Sequence, residues 1–247
     1  MVLLAKSYKP GGKCIAGKRV EYVEERKVKV CEWIRPVFDD GTGHGALPTA
    51  SFTYQDGNEA KVLDIVEVTV KGKVSVAGQP ENYIIDDTVK WKKISHLNAE
   101  SIPNLKENTA DIWNEVGVDS NIVTSDFDER GAISQSLYLI KPSNFEVTLS
   151  NDYNDFDRAY KRKIVAKFDY SDTTYENISI TCPATRRILA NQYPNEGEAS
   201  KTLALNKGDD YILCMSLSPR FGNADQHYKL VATVFDFDGY LQRKYSA

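Results

Sequence analysis

Six cationic side chains gather at a glycine turn near the start of the chain and on its flanks. Lys6, Lys9, Lys13, Lys18 and Arg19 surround Pro10-Gly11-Gly12, and Arg26 follows. The apolar run Val2-Leu3-Leu4-Ala5 leads straight into this turn, so it reads as a strand entering a reversal that needs positive φ. A strand, a glycine turn and local cations bring backbone N–H groups and positive charge to one place, as an anion site requires. The same pattern suits a plain hairpin with a solvated face. Cys14 lies in this turn and would gain nucleophilicity if the cations depressed its pKa. No His stands close to it in sequence, and a structural thiol is the reading taken.

Complete catalytic sets are absent from the sequence. Glu25-Arg26-Lys27 matches the ExK fragment of metal-dependent nucleases, which hold a metal and an attacking water between carboxylates and a lysine. No Asp precedes it, so it reads as strand decoration. Gly41-Thr42-Gly43-His44-Gly45 superficially suggests a phosphate loop. It lacks the GxxxxGK[ST] spacing and a following helix, and reads as a mobile loop. No GxSxG, HExxH or kinase-like set is present. The chain is expected not to be an enzyme and to need no cofactor.

Aromatic residues beside cations are the remaining chemistry. Exposed rings next to a cationic groove stack the bases of a nucleic acid strand, at about 1–3 kcal/mol per base. The candidates are Tyr8 with Lys6 and Lys9, Trp33 with Arg35, Trp91 with Lys90, Lys92 and Lys93, and Tyr228 with Lys229. Trp33 and Trp91 also suit core packing. Trp91 is the better stacking candidate of the two, because cations flank it on both sides. The expected nucleic-acid contacts are therefore Lys6, Tyr8, Lys9, Lys13, Arg35, Trp91, Lys92, Lys93 and Lys229. The acidic run Asn151-Asp152-Tyr153-Asn154-Asp155-Phe156-Asp157 suits a protein partner or a solvated loop.

Composition sets the frame. The 247 residues carry 31 Lys and Arg against 35 Asp and Glu, a net charge of −4, so any attraction for nucleic acid has to be local. No apolar window is long enough for a membrane helix, and the first residues lack a basic stretch followed by a long apolar core, so no secretory signal is expected. A cytoplasmic protein without membrane contacts is expected. Cys14, Cys31, Cys182 and Cys214 are far apart and never form CxxC, so they read as reduced, mostly buried thiols without metal.

The elements that must position these residues are mostly strands. Strand patterns occur at 27–38, 62–70, 83–85, 89–94, 137–140, 145–149, 163–168, 178–181, 202–205, 211–217 and 228–237. Residues 83–85 and 89–94 read as two strands joined by the Asp86-Asp87 turn. Leu105, Thr109, Ile112, Trp113 and Val116 fall at helical spacing, Asn104 with Glu107 forms a capping pair, and Gly117 follows. A helix over 104–116 is predicted, with a polar linker over 118–135 and a short helix opening at Cys182-Pro183. The division expected is a β domain over 1–100, a helix and linker over 101–135, and a β domain over 136–247. Leu4-Ala5-Lys6 with Lys9-Pro10 and Leu139-Ile140-Lys141-Pro142 give a short hint of duplication. About five strands in each half suit two small barrels of OB or SH3 type, or small sandwiches.

Three blocks carry a resemblance. Residues 6–17 (Lys-Ser-Tyr-Lys-Pro-Gly-Gly-Lys-Cys-Ile-Ala-Gly), 79–86 (Gln-Pro-Glu-Asn-Tyr-Ile-Ile-Asp), and 213–217 with 228–232 resemble the bacterial dual OB-containing domain proteins. The resemblance implies a mainly β fold of two OB-like barrels and an association with prokaryotic conflict and defence systems. It implies no catalytic residues. Together the readings predict a non-enzymatic nucleic-acid-binding subunit that senses or targets in a defence system. The alternative is an adaptor subunit that docks on an enzymatic partner in a larger complex.

Overall fold

The apolar opening run forms β1 (Val2–Lys9), and Gly11, at φ 84°, reverses the chain into β2 (Gly12–Glu24). The computed structural model describes residues 1–24, 27–204, 211–221 and 225–236. β3 (Lys27–Val37), β4 (Asp64–Glu67), β5 (Val70–Lys73), β6 (Asn82–Ile85) and β7 (Lys92–His96) complete a seven-stranded sheet in the order β5-β6-β3-β2-β1-β4-β7. The second sheet takes β9 (Leu137–Ile140), β10 (Ser143–Asn154), β11 (Ala159–Tyr170), β12 (Thr173–Ile180), β13 (Lys201–Ala204), β14 (Tyr211–Leu217) and β15 (Gln226–Asp236). Its order is β13-β10-β11-β12-β15-β14-β9, with β8 (Ile122–Thr124) added on β15. The fold is mainly β.

The two sheets repeat one plan. In the first, the meander β1-β2-β3 takes β4 antiparallel on β1 and β6 parallel on β3. In the second, β10-β11-β12 takes β13 antiparallel on β10 and β15 parallel on β12. Five strands with this pairing are OB-like, although neither sheet closes into a full barrel. The duplication is therefore real in topology, but not in the register the short motifs suggest. Lys6 and its neighbours lie in β1, whereas Leu139-Ile140 lies in β9, ahead of β10, the topological counterpart of β1.

Apolar side chains define two clusters. Leu3, Ile15, Phe52, Val66, Ile85 and Trp91 fill the interior of the first unit. A larger cluster runs across both units, joining Leu4, Ala16 and Trp33 to Leu139, Phe145, Phe168 and Val231. The backbone joins there too, with Tyr8 N–H donating to Thr181 O at 3.2 Å.

Four expectations change. The helix over 104–116 does not form. A short 3-10 helix, Ala99–Leu105, containing Pro103 and capped by Asn98, precedes an irregular run in which Trp113 takes φ 57°. Leu105, Ile112 and Trp113 pack into the shared core while Val116 is fully exposed, and Glu107 bonds across the molecule instead of capping. Residues 118–135 are not a bare linker: they hold β8 and α1 (Ser125–Glu129). The strand expected over 62–70 is broken at Leu63, which takes φ 74°, because Asp64 is anchored by Tyr54 Oη at 2.8 Å and Lys61 N at 3.0 Å. β6 and β7 do not pair with each other; they join opposite sides of the sheet. The expected helix after Cys182 is present as α2 (Pro183–Ile188). Glu25, Arg26, Leu205 and Phe237 lie outside the described residues.

Candidate nucleic-acid interface

The turn between β1 and β2 holds a compact cationic and aromatic group. Tyr8 is 54% exposed, and Lys13 Nζ stands 3.7 Å from the centre of its ring. Lys6, one turn of the pleat away, is tied down: its ammonium pairs with Glu59 at 2.6 Å, donates to Ala60 O at 3.0 Å and lies over the Phe52 ring. Lys9 donates to His44 O, and burial holds its pKa below the usual lysine value. This bond, with the one Asn82 Nδ2 donates to Gly43 O, tethers the glycine loop that the sequence leaves as mobile.

Lys13 is the freest of these cations. Its pKa is lowered, first by partial burial and then by repulsion from Lys6 and Arg187, with Glu59 as an opposing influence. Arg187 is exposed and belongs to α2 of the second unit. Docking of α2 on β1 thus adds a cation from the second unit to the turn. Nothing in the sequence pairs Arg187 with this turn; the sole signal is the adjacent Arg186-Arg187 in a short helix.

Burial removes three expected contacts from the surface. Trp91, just ahead of β7, is 2% exposed and packs in the first unit's core among Phe52, Ile85 and Val66. Arg35 is 1% exposed and pairs with Glu81 at 3.3 Å, while its Nη2 donates to Ser136 Oγ at 2.8 Å and Ser216 Oγ at 3.2 Å. Glu81 also accepts from the Ser136 backbone N–H at 3.3 Å. Gln79 Nε2 donates to Leu217 O at 3.0 Å, and Gly78, at φ 69°, packs so closely on His227 that a Cβ would lie 2.3 Å from the ring. Arg35 therefore joins the two units. Lys229 is 2% exposed over the Tyr175 ring, and burial pulls its pKa down to about 8. Lys92 and Lys93 are exposed on β7, with Lys93 paired to the buried Asp64 at 2.6 Å. The structure thus gathers Lys6, Tyr8, Lys9 and Lys13 and separates the rest.

Other chemistry is sparse. Cys182 and Cys214 are buried, and Cys14 and Cys31 are partly exposed. Burial pushes the Cys214 thiol far up. Among the described residues, no three His, Cys, Asp or Glu side chains are gathered as a metal site, and no helix is long and apolar enough to cross a membrane. A family model described as the dual OB-containing domain matches residues 1–234. No curated protein and no solved structure matches the chain.

Proposed function

The chain belongs to the dual OB-containing domain family, and on that premise we propose that it binds nucleic acid, without catalysis, through the cationic turn around Tyr8. A fold alone hosts many functions, so the site has to carry the reading. The observation that carries it is the exposed Tyr8 ring with Lys13 at 3.7 Å and Arg187 brought alongside by the second unit. Of the acids near this group, Glu59 is engaged by Lys6 and Asp40 accepts from Thr42 Oγ1 at 2.6 Å. Cations without carboxylate partners beside an open ring match what a phosphate backbone with splayed bases needs. With a net charge of −4 the attraction is local, and salt screens it within about 10 Å at 0.1 M. The proposal extends to a sensing or targeting subunit of a prokaryotic defence system, for which the support is the sequence resemblance.

Titration of labelled oligonucleotides tests the reading. Affinity should fall steeply between about 50 and 200 mM salt. Lys13→Glu with Arg187→Glu should weaken binding to all sequences and reduce the salt slope by about one for each lost phosphate contact. No binding by the wild type would favour the second reading, an adaptor subunit. The observation behind that reading is an open groove of about 410 Å³ on the first sheet, lined in part by Val20, Ile34, Pro36, Val70 and Ile94, with Tyr22 at its rim 56% exposed. An apolar groove of this kind suits a peptide segment of a partner.

A further inference from the structure

Tyr8 is one end of a longer series of rings and cations that continues along the second unit. From the turn the series passes to α2, which packs on β1 just after the Tyr8 N–H to Thr181 O bond and carries Arg186 and the exposed Arg187. Arg186 and Arg162 both lie close enough to Tyr193 to pull its pKa down against the larger upward effect of burial, and the Arg162 guanidinium sits 5.3 Å from the ring centre. Beyond Arg162 come Tyr160 and Tyr153, 41% and 52% exposed, with ring centres 5.3 Å apart in an edge-on pair. Tyr160 rests against Gly197 of the loop that follows Tyr193.

The register of the β10–β11 hairpin keeps these groups on one face. Tyr153 pairs with Tyr160 and Asn151 with Arg162, and directly opposed residues share a face. Asn151 turns into hydrogen bonding with Pro194 O, which seats the loop against that face. Asp152 and Lys161 oppose each other on the other face. Of the acids near the series, Asp157 pairs with Lys161 and Glu198 accepts from Asn195 N at 2.9 Å and Nδ2 at 2.8 Å, while Asp155 of the hairpin turn is exposed. Glu196 of the same loop is exposed.

We propose that this series is a binding track for single-stranded nucleic acid, running from Tyr8 through Arg187, Tyr193 and Arg162 to the Tyr160–Tyr153 pair. It rests on the nucleic-acid reading above and specifies its ligand. Separate rings interleaved with guanidinium groups accept unstacked bases and the phosphates between them. A duplex hides its base faces and gains nothing from the rings.

The test uses single strands of about 4 and about 16 nucleotides, as DNA and as RNA, and a duplex of the longer sequence, titrated at low salt. The full chain is compared with Tyr153→Ala/Tyr160→Ala, Tyr153→Phe/Tyr160→Phe and Lys13→Glu/Arg187→Glu. The Ala pair should lose at least about fivefold in affinity for the long strand and leave the short one little changed, and the Phe pair should keep wild-type affinity. The charge-reversed pair should weaken both lengths. Wild-type affinity for the long strand in the Ala pair, or equal binding of duplex and single strand, overturns the track; if the charge-reversed pair is still weakened, the nucleic-acid reading stands. No binding of any oligonucleotide by the wild type overturns both.

Discussion

Strand β2 carries two cation–aromatic pairs five positions apart, and they have opposite fates. Lys18 lies 5.1 Å from the Trp33 ring; the lysine is 9% and the tryptophan 4% exposed. Glu107 closes this pair off. It accepts from Lys18 Nζ at 3.2 Å, from Trp33 Nε1 at 3.1 Å and from the Leu139 backbone N–H at 2.9 Å. Lys13 stands over Tyr8, partly exposed and without a carboxylate bonded to it. Similar chemistry therefore joins the units at one end of the strand and is offered to solvent at the other. What decides is the counter-charge: a carboxylate that comes with a buried cation offsets the cost of taking it out of water.

The comparison breaks first at the Arg35–Glu81 pair, the most buried ion pair of the junction. Arg35→Ala or Glu81→Ala should cost about 3–5 kcal/mol, because each leaves one buried charge alone. Urea denaturation measures it, and a loss below about 1 kcal/mol would mean that the pair is open to water. Trp91→Ala should cost about 3–5 kcal/mol by opening a cavity in the first unit's core. If Trp91 were a surface platform, the change would stay within about 0.5 kcal/mol.

Lys229 sharpens the comparison, since it is buried over Tyr175 with Asp111 and Glu115 as nearby rather than bonded acids. Its folded pKa of about 8 lies below the usual 10.5. The unfolded chain therefore holds the proton to higher pH and binds more protons between these values. Stability should rise with pH through that window, by up to about 1.4 kcal/mol per unit. Lys229→Met should remove this contribution, read as the difference in slope between the denaturation curves of the two proteins between about pH 8 and 9.5, because Lys9, Lys13 and Cys214 contribute equally to both. The smallest effect belongs to the exposed pair. Tyr8→Ala should change stability by no more than about 0.5 kcal/mol while lowering oligonucleotide affinity, which separates a ligand contact from a structural one.

Most strands were legible because alternation is a local property. Residues 137–140, 145–149 and 211–217 all read as strands and are strands. The helix over 104–116 was misread for a physical reason. Its apolar spacing and its Asn104–Glu107 pair are helical in pattern, but Glu107 gains more from Trp33, Lys18 and Leu139 than from a cap. The break at Leu63 was hidden for the same reason, since the anchors of Asp64 include Tyr54 and Lys93, ten and twenty-nine positions away.

At the site, the sequence by itself determined the cationic turn: strand, Pro-Gly-Gly reversal, Tyr8 and its lysines are set by neighbours in the chain. It also determined the two β-rich halves, since strand periodicity and turn residues need no distant partner. Only the tertiary structure decided which cations face water. Arg35 and Lys18 are buried because the rest of the chain packs against the first unit and supplies the groups that cover them, and Lys229 is buried within the second unit over Tyr175. Arg187 joins the turn because α2 docks beside β1. Burial is a property of what lies opposite a side chain, and in this fold that partner is often more than a hundred residues away, as Ser136 is from Arg35.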